Sequence, residues 1–133
     1  MNIKKEWYYD RNKSELFTAR YGSKVPVEAP SGPLPSGEPA GVRAYVFSYA
    51  EEPDESELFI AFLEKPDPNE EQIETVDTAS AKGGFDQWSQ GRLIRREEDK
   101  RWHPADSSEG RLILEQAYRP NEKNQRPSYY KPR

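Results

Sequence analysis

Apolar positions along this 133-residue chain fall mostly into short runs with the two-residue repeat of strands, and one stretch near the C-terminus keeps a clear helical repeat. Residues 6–10 (EWYYD) and 15–19 (ELFTA) are β-prone and are separated by Arg11-Asn12-Lys13-Ser14, a connection of hairpin length and composition. They predict an antiparallel pair with Trp7 and Tyr9 on one face and Tyr8 on the other, which leaves at least one aromatic at the surface. Residues 41–49 (GVRAYVFSY) put Val42, Ala44 and Val46 on one face and Tyr45, Phe47 and Tyr49 on the other. A strand apolar on both faces belongs in mid-sheet. Residues 58–63 (LFIAFL) follow a turn-rich 51–56 and are read as its neighbour, because a six-residue apolar run stopped by Pro66 suits a buried strand. A helix over 57–65 is the competing reading: Asp54 with Glu57 spells a capping box, and Leu58, Phe59, Phe62 and Leu63 fit a helical stripe.

Asp67-Pro68-Asn69-Glu70 offers a cap, a proline at the first helical position and an early acid, predicting a short helix through Ile73 and Val76 before Gly83-Gly84. Leu93-Ile94 and Arg101-Trp102-His103, split by residues 97–100, predict a second hairpin at a sheet edge. Asp106 with Glu109 forms another capping box, and Ile113, Leu114, Ala117 and Tyr118 make one stripe before Arg119-Pro120, so a helix over 107–118 should cover the sheet. Residues 22–41 hold Pro26, Pro30, Pro33, Pro35 and Pro39, with Val25, Val27 and Leu34 as the large apolar residues. Burying those three returns roughly 5–9 kcal/mol, whereas fixing about twenty backbones costs on the order of 20–40 kcal/mol. The segment is expected to be an extended or mobile loop, pinned near residues 25–27. The expected fold is α+β: a small antiparallel sheet of four to six strands, a C-terminal helix on one face and a long Pro/Gly-rich loop. One domain spans 6–118, with the loop at 22–41, and 119–133 form a flexible basic tail.

Composition agrees with one modest core. Hydrophobic residues make up 33% and charged residues another 33%, below and above ordinary globular usage, while 12% aromatic residues argue against wholesale disorder. The net charge of -4 gives no overall attraction to nucleic acid or to an anionic membrane. Its distribution is uneven. Residues 51–77 carry eleven acids against Lys65, and residues 119–133 carry five basic residues against Glu122. The absence of cysteine excludes a disulfide framework, thiolate chemistry and a cysteine zinc site. No window approaches the ~18 apolar residues of a membrane span, and the first six residues lack the apolar region of a signal peptide.

The single histidine, His103, lies three residues before Asp106, but neither a cysteine nor a Gly-x-Ser-x-Gly elbow supplies a nucleophile. The acids of 51–77 are the material of a small hydrolase, yet catalytic carboxylates need a cleft that raises one pKa, and this chain has little core to build one. Asp67-x-Asn69-x-Glu71 imitates the start of a calcium loop, but Gln72 stands where the loop needs glycine. Gly83-Gly84 and Gly91 lack the spacing and the lysine of a phosphate-binding loop. No catalytic, metal or cofactor residue is therefore assigned. The remaining candidates are in the tail, where Arg126, Tyr129, Tyr130, Lys131 and Arg133 combine stacking and charge. They suit either single-stranded nucleic acid or an acidic protein partner, including the acidic segment of another copy. The reading taken is a non-enzymatic protein-interaction or structural module.

The phrases WYYD leading to ELF, then GVRAYVF, FIAFLE and WHPADS resemble an uncharacterised family of planctomycete proteins. The resemblance spans most of the expected domain and implies a membrane anchor before the first hairpin, hence an envelope or exported domain. As written, the chain would be cytoplasmic; with an upstream anchor removed, it would belong to the envelope or be exported. The resemblance implies no activity, substrate or site residue.

Overall fold

In a computed structural model, which describes residues 4–20, 22–68 and 90–132, the chain forms one antiparallel sheet with a helix on one face. In chain order the strands are β1 (Lys5–Asp10), β2 (Glu15–Arg20), β3 (Gly41–Ser48), β4 (Phe59–Pro66), β5 (Arg92–Arg95), β6 (His103–Pro104) and β7 (Ser128–Tyr129), with α1 (Ser108–Ala117) between the last two. Their spatial order is β2-β1-β3-β4-β5-β6, and β7 adds to β3. The expected α+β architecture is present. The short helix expected after Asp67 falls largely outside the described residues.

β3 is the central strand, as its two-faced apolar pattern requires. Val42, Ala44 and Val46 join Tyr9 and Leu63 on one face, with Trp7, Leu16, Val25, Leu58, Ile60 and Trp102 packed around them. Phe47 faces the other way and joins Ala61, Phe62, Ile94, Ala105 and the helix residues Ile113, Leu114 and Ala117. The register between β3 and β4 shifts at Tyr45/Val46, so that Ala61 is an extra residue on β4. This bulge restores the alternation that puts Phe59 and Phe62 on the helix side and Ile60 and Leu63 on the opposite side. Tyr8 and Tyr9 are both buried and Trp7 is half-buried, so the first hairpin exposes less aromatic surface than its sequence predicts. The reason is that β1 lies inside the sheet, between β2 and β3, with both of its faces packed.

The apolar run of the contested 57–65 region resolves as a strand, β4, from Phe59, and the capping box is real as well. The Asp54 amide donates to Glu57 Oε1 at 3.0 Å, but the box closes a single 3-10 turn, Glu55–Glu57, before Leu58 returns to extended backbone. The cap of α1 is Ser107 rather than Asp106. Ser107 has the extended backbone that a cap needs, and its hydroxyl accepts from the Gly110 amide at 3.1 Å. Gly110 lets the first turn rest on the preceding strand, since a Cβ there would stand 2.2 Å from the Pro104 carbonyl oxygen.

The loop at 22–41 is held more firmly than its apolar content implies. Val27 and Gly41 exchange two main-chain hydrogen bonds of 2.8 Å. The turn of the first hairpin does the rest: Arg11 donates to the carbonyls of Pro39 and Ala40, and the Asn12 amide donates to those of Gly32 and Pro33. Buried Asp10 accepts from the amides of Asn12, Lys13 and Ser31 and from the Ser31 hydroxyl at 2.7 Å. Burial raises the Asp10 pKa, but these donors outweigh burial and hold it below the usual carboxylate value. A depressed folded-state pKa means that the stabilisation is present above the unfolded value and is lost as pH falls through the folded one. Asp10→Asn should therefore lower the urea midpoint at pH 7, with the gap to wild type closing as pH falls below the unfolded carboxylate range. A gap independent of pH would remove Asp10 as the anchor.

Candidate functional site

The tail does not hang free. Residues expected to be flexible return to the sheet as β7, with Phe47 opposite Tyr129 and Ser48 opposite Ser128. The Tyr130 amide donates to the Val46 carbonyl at 2.9 Å, and the Trp7 indole donates to the Tyr130 carbonyl at 2.8 Å. The return is shaped by a closed turn, in which Asn121 Oδ1 accepts from the amides of Lys123 and Gln125, and by burial of Pro127. Main-chain bonds carry this docking, and side-chain periodicity cannot report them. Arg126 and Lys131 are exposed, Tyr129 is 39% exposed and set edge-on to Tyr45, and Tyr130 is half-buried. Arg133 lies outside the described residues. The tail candidates are thus spread along a docked strand, with Tyr129 and Tyr130 partly committed to the fold. Removing residues 126–133 should cost about 1–3 kcal/mol in urea melts. Tyr130→Ala keeps both main-chain bonds and should stay within about 0.5 kcal/mol.

Strand alternation sorts the remaining charge. On the helix side stand the carboxylates Glu6, Asp10, Glu15 and Glu64 together with Arg43 and Arg92. The opposite side receives Lys5, Arg20, Lys65 and Arg95, and no carboxylate among the described strand residues.

On the helix side both arginines are paired with buried carboxylates. Arg43 pairs with Glu6, and Arg92 Nη1 lies 2.8 Å from Glu64 Oε1. Tyr45 donates to the same Glu64 oxygen at 2.9 Å, and Tyr8 donates to Glu6 Oε2 at 3.3 Å. Both carboxylates are buried. Burial, reinforced by the Glu64 charge, pushes the Tyr45 phenol far above its ordinary range, so Tyr45 stays a donor. Two arginines thus stand against two buried glutamates in paired geometry.

The strand cations of the helix-free side have no such ion pairs among the described residues. Lys65 Nζ and Arg95 Cζ each lie 4.9 Å from the centre of the Trp102 ring, a cation–π arrangement built from strands β4 and β5 and the connection that leads into β6. Neither cation has a carboxylate within salt-bridge distance among the described residues. Arg95 spends its guanidinium on the carbonyls of Arg96, Glu97 and Asp99. Arg11, the third cation of the group, is 3.4 Å from Glu38. Burial pushes the Lys65 ammonium below the usual lysine value, with Arg11 and Arg95 adding to the effect and Glu38 and Asp67 opposing it. Burial likewise lowers Arg95, with Arg11 adding and Tyr9, Asp99 and Glu97 opposing. For both cations burial is the largest influence, and the neighbouring charges of Glu38, Asp67, Asp99 and Glu97 do not offset it.

His103 lies in β6 at the sheet edge, on the strand paired with β5. Among the described residues no group of three His, Cys, Asp or Glu side chains is placed to hold a metal, and no helix is long and apolar enough to cross a membrane. Arg11, Lys65, Arg95 and Trp102 were not legible as a set, because they come from four segments and meet only through the strand register. Comparison of the chain with protein-family models, with curated proteins and with solved structures finds no match.

Proposed function

We propose that the protein is a non-enzymatic interaction module that binds polypeptide through the helix-free face of its sheet. The observation that carries this reading is the pair of Lys65 and Arg95 over Trp102, on a face whose strands supply no carboxylate among the described residues. An external carboxylate supplies what the cluster lacks. It would pair with Lys65, which has no salt-bridge partner among the described residues, while Trp7, Leu16 and Ile60 offer half-buried apolar surface on the same face of the sheet. Single-stranded nucleic acid is less well served, since binders of that class offer open aromatic faces for stacking. The Trp102 ring here is already covered by cations.

The test is fluorescence anisotropy with a labelled glutamate-rich peptide and, in parallel, labelled oligo(dT), both at low salt. The peptide should bind, the affinity should fall as salt rises, and reversing Lys65 and Arg95 to Glu should abolish binding in a variant that still melts cooperatively. Binding of the oligonucleotide in place of the peptide, or of neither, would overturn the reading.

A further inference from the structure

Resting on the reading of the Trp102 cluster as a polypeptide site, we propose that its occupant is the acidic β3–β4 connection of a second copy, joined head to tail. Glu51, Glu52, Asp54, Glu55 and Glu57 crowd five carboxylates into seven residues, all exposed and none in an ion pair among the described residues. The segment is also shaped for presentation. Asp54 and Glu57 close it locally, through Asp54 N to Glu57 Oε1 at 3.0 Å and Glu57 N to the Asp54 carbonyl at 2.9 Å. Docking would therefore order little that is not ordered already.

The connection enters β4 at its first residue, Phe59, whereas Lys65 lies next to its last, Pro66. The extended chain from Phe59 to Lys65 spans about 20 Å at ~3.3 Å per residue, and Glu57 lies beyond that end in its 3-10 turn. β4 is hydrogen-bonded to β3 on one side and β5 on the other, so it cannot bend to bring its ends together. Each molecule thus carries complementary patches that it cannot join to one another, and only another molecule can satisfy them. The contact is heterologous. It leaves one acidic connection and one cationic cluster open at the ends of every assembly, so growth continues until a ring closes. Charge pairs at a solvent-exposed contact are individually weak, so the association belongs to low salt and high protein concentration.

Light scattering on the wild-type chain across a concentration series should show the average mass rising to about twice the monomer or beyond at low salt and returning to monomer at high salt. Two variants give the decisive readout. Lys65→Glu with Arg95→Glu removes the cluster, and Glu51→Gln with Glu52→Gln and Glu55→Gln, at exposed positions that leave the core untouched, neutralises most of the connection without making it attractive to the reversed cluster. Each alone should be monomeric. Mixed in equal amounts they would offer, between them, one intact cluster type and one intact connection type, and should form a 1:1 complex that stops at two chains. A wild-type monomer at every salt concentration, with the glutamate-rich peptide still bound, would overturn the second copy as occupant and leave the cluster as a polypeptide site. A monomer that also fails to bind the peptide overturns both. Assembly that survives high salt, or persists in either variant alone, places the contact elsewhere and overturns the proposal.

Discussion

Phe47→Ala should destabilise the fold by about 3–5 kcal/mol, the range for removing a buried aromatic ring and leaving a cavity. Phe47 is 1% exposed, and its ring centre lies 6.2 Å from that of Phe59, 6.3 Å from Phe62 and 5.1 Å from Tyr118. It therefore joins the two central strands to the C-terminal end of α1. The aromatic rings around it are rigid and meet it edge-on or tilted, so they cannot collapse into the space of a lost ring as flexible aliphatic chains might. The loss of packing should also loosen the helix, whose buried stripe of Ile113, Leu114 and Ala117 belongs to the same cluster. Urea melts followed at separate sheet and helix signals should show one transition, moved to a much lower midpoint with little change in slope. A shift below ~1 kcal/mol would mean that the helix is held by something other than this cluster.

How far the chain could be read in advance depended on what carried each element. β3 was legible because both faces of one strand are apolar, and α1 because its stripe, cap region and Arg119-Pro120 stop agree. The 51–66 region held two valid local signals, the capping box and the apolar run. The structure keeps both by spending the box on one 3-10 turn, which a windowed reading treats as rivals. Apolar burial alone makes the Pro/Gly loop extended or mobile, pinned near residues 25–27, and the tail flexible. The pin holds at Val27, and the other anchors are polar: loop carbonyls accept from Arg11 and the Asn12 side chain, the Tyr130 amide donates to the Val46 carbonyl, and the Trp7 indole donates to the Tyr130 carbonyl. No local spacing could reveal those partners, since the indole of Trp7 and the carbonyl of Tyr130 stand 123 residues apart. The candidate site failed to show for the same reason. Lys65 looked like one base in an acidic stretch, and only the pairing of β4 with β5 brings it beside Arg95 over Trp102.

Glu64→Ala is expected to cost a further large amount, about 3–5 kcal/mol, because it breaks a buried ion pair by removing one member. The Glu64 side chain is 4% exposed, and its Oε1 takes both the Arg92 guanidinium and the Tyr45 hydroxyl. Without it, Arg92 loses the carboxylate 2.8 Å from its guanidinium, Tyr45 loses that acceptor, and a half-buried group of side chains gives up one negative charge. Glu64→Gln retains an acceptor of the same shape without the charge and should fall between wild type and Glu64→Ala. The informative comparison is with Lys65→Met, one residue along on the opposite face. Lys65 has no salt-bridge partner among the described residues, and burial disfavours its charged form, so replacing it with an apolar side chain of similar length should leave the urea midpoint unchanged or raised. The same substitution should weaken binding of the glutamate-rich peptide, whereas Glu64→Gln, on the helix side, should not. Opposite orders of effect on stability and on binding at adjacent residues would separate the two clusters by role: the ion-paired one holds the sheet together, and the other is kept for a ligand. If Lys65→Met instead unfolds the protein as severely as Glu64→Ala, the cations around Trp102 belong to the scaffold.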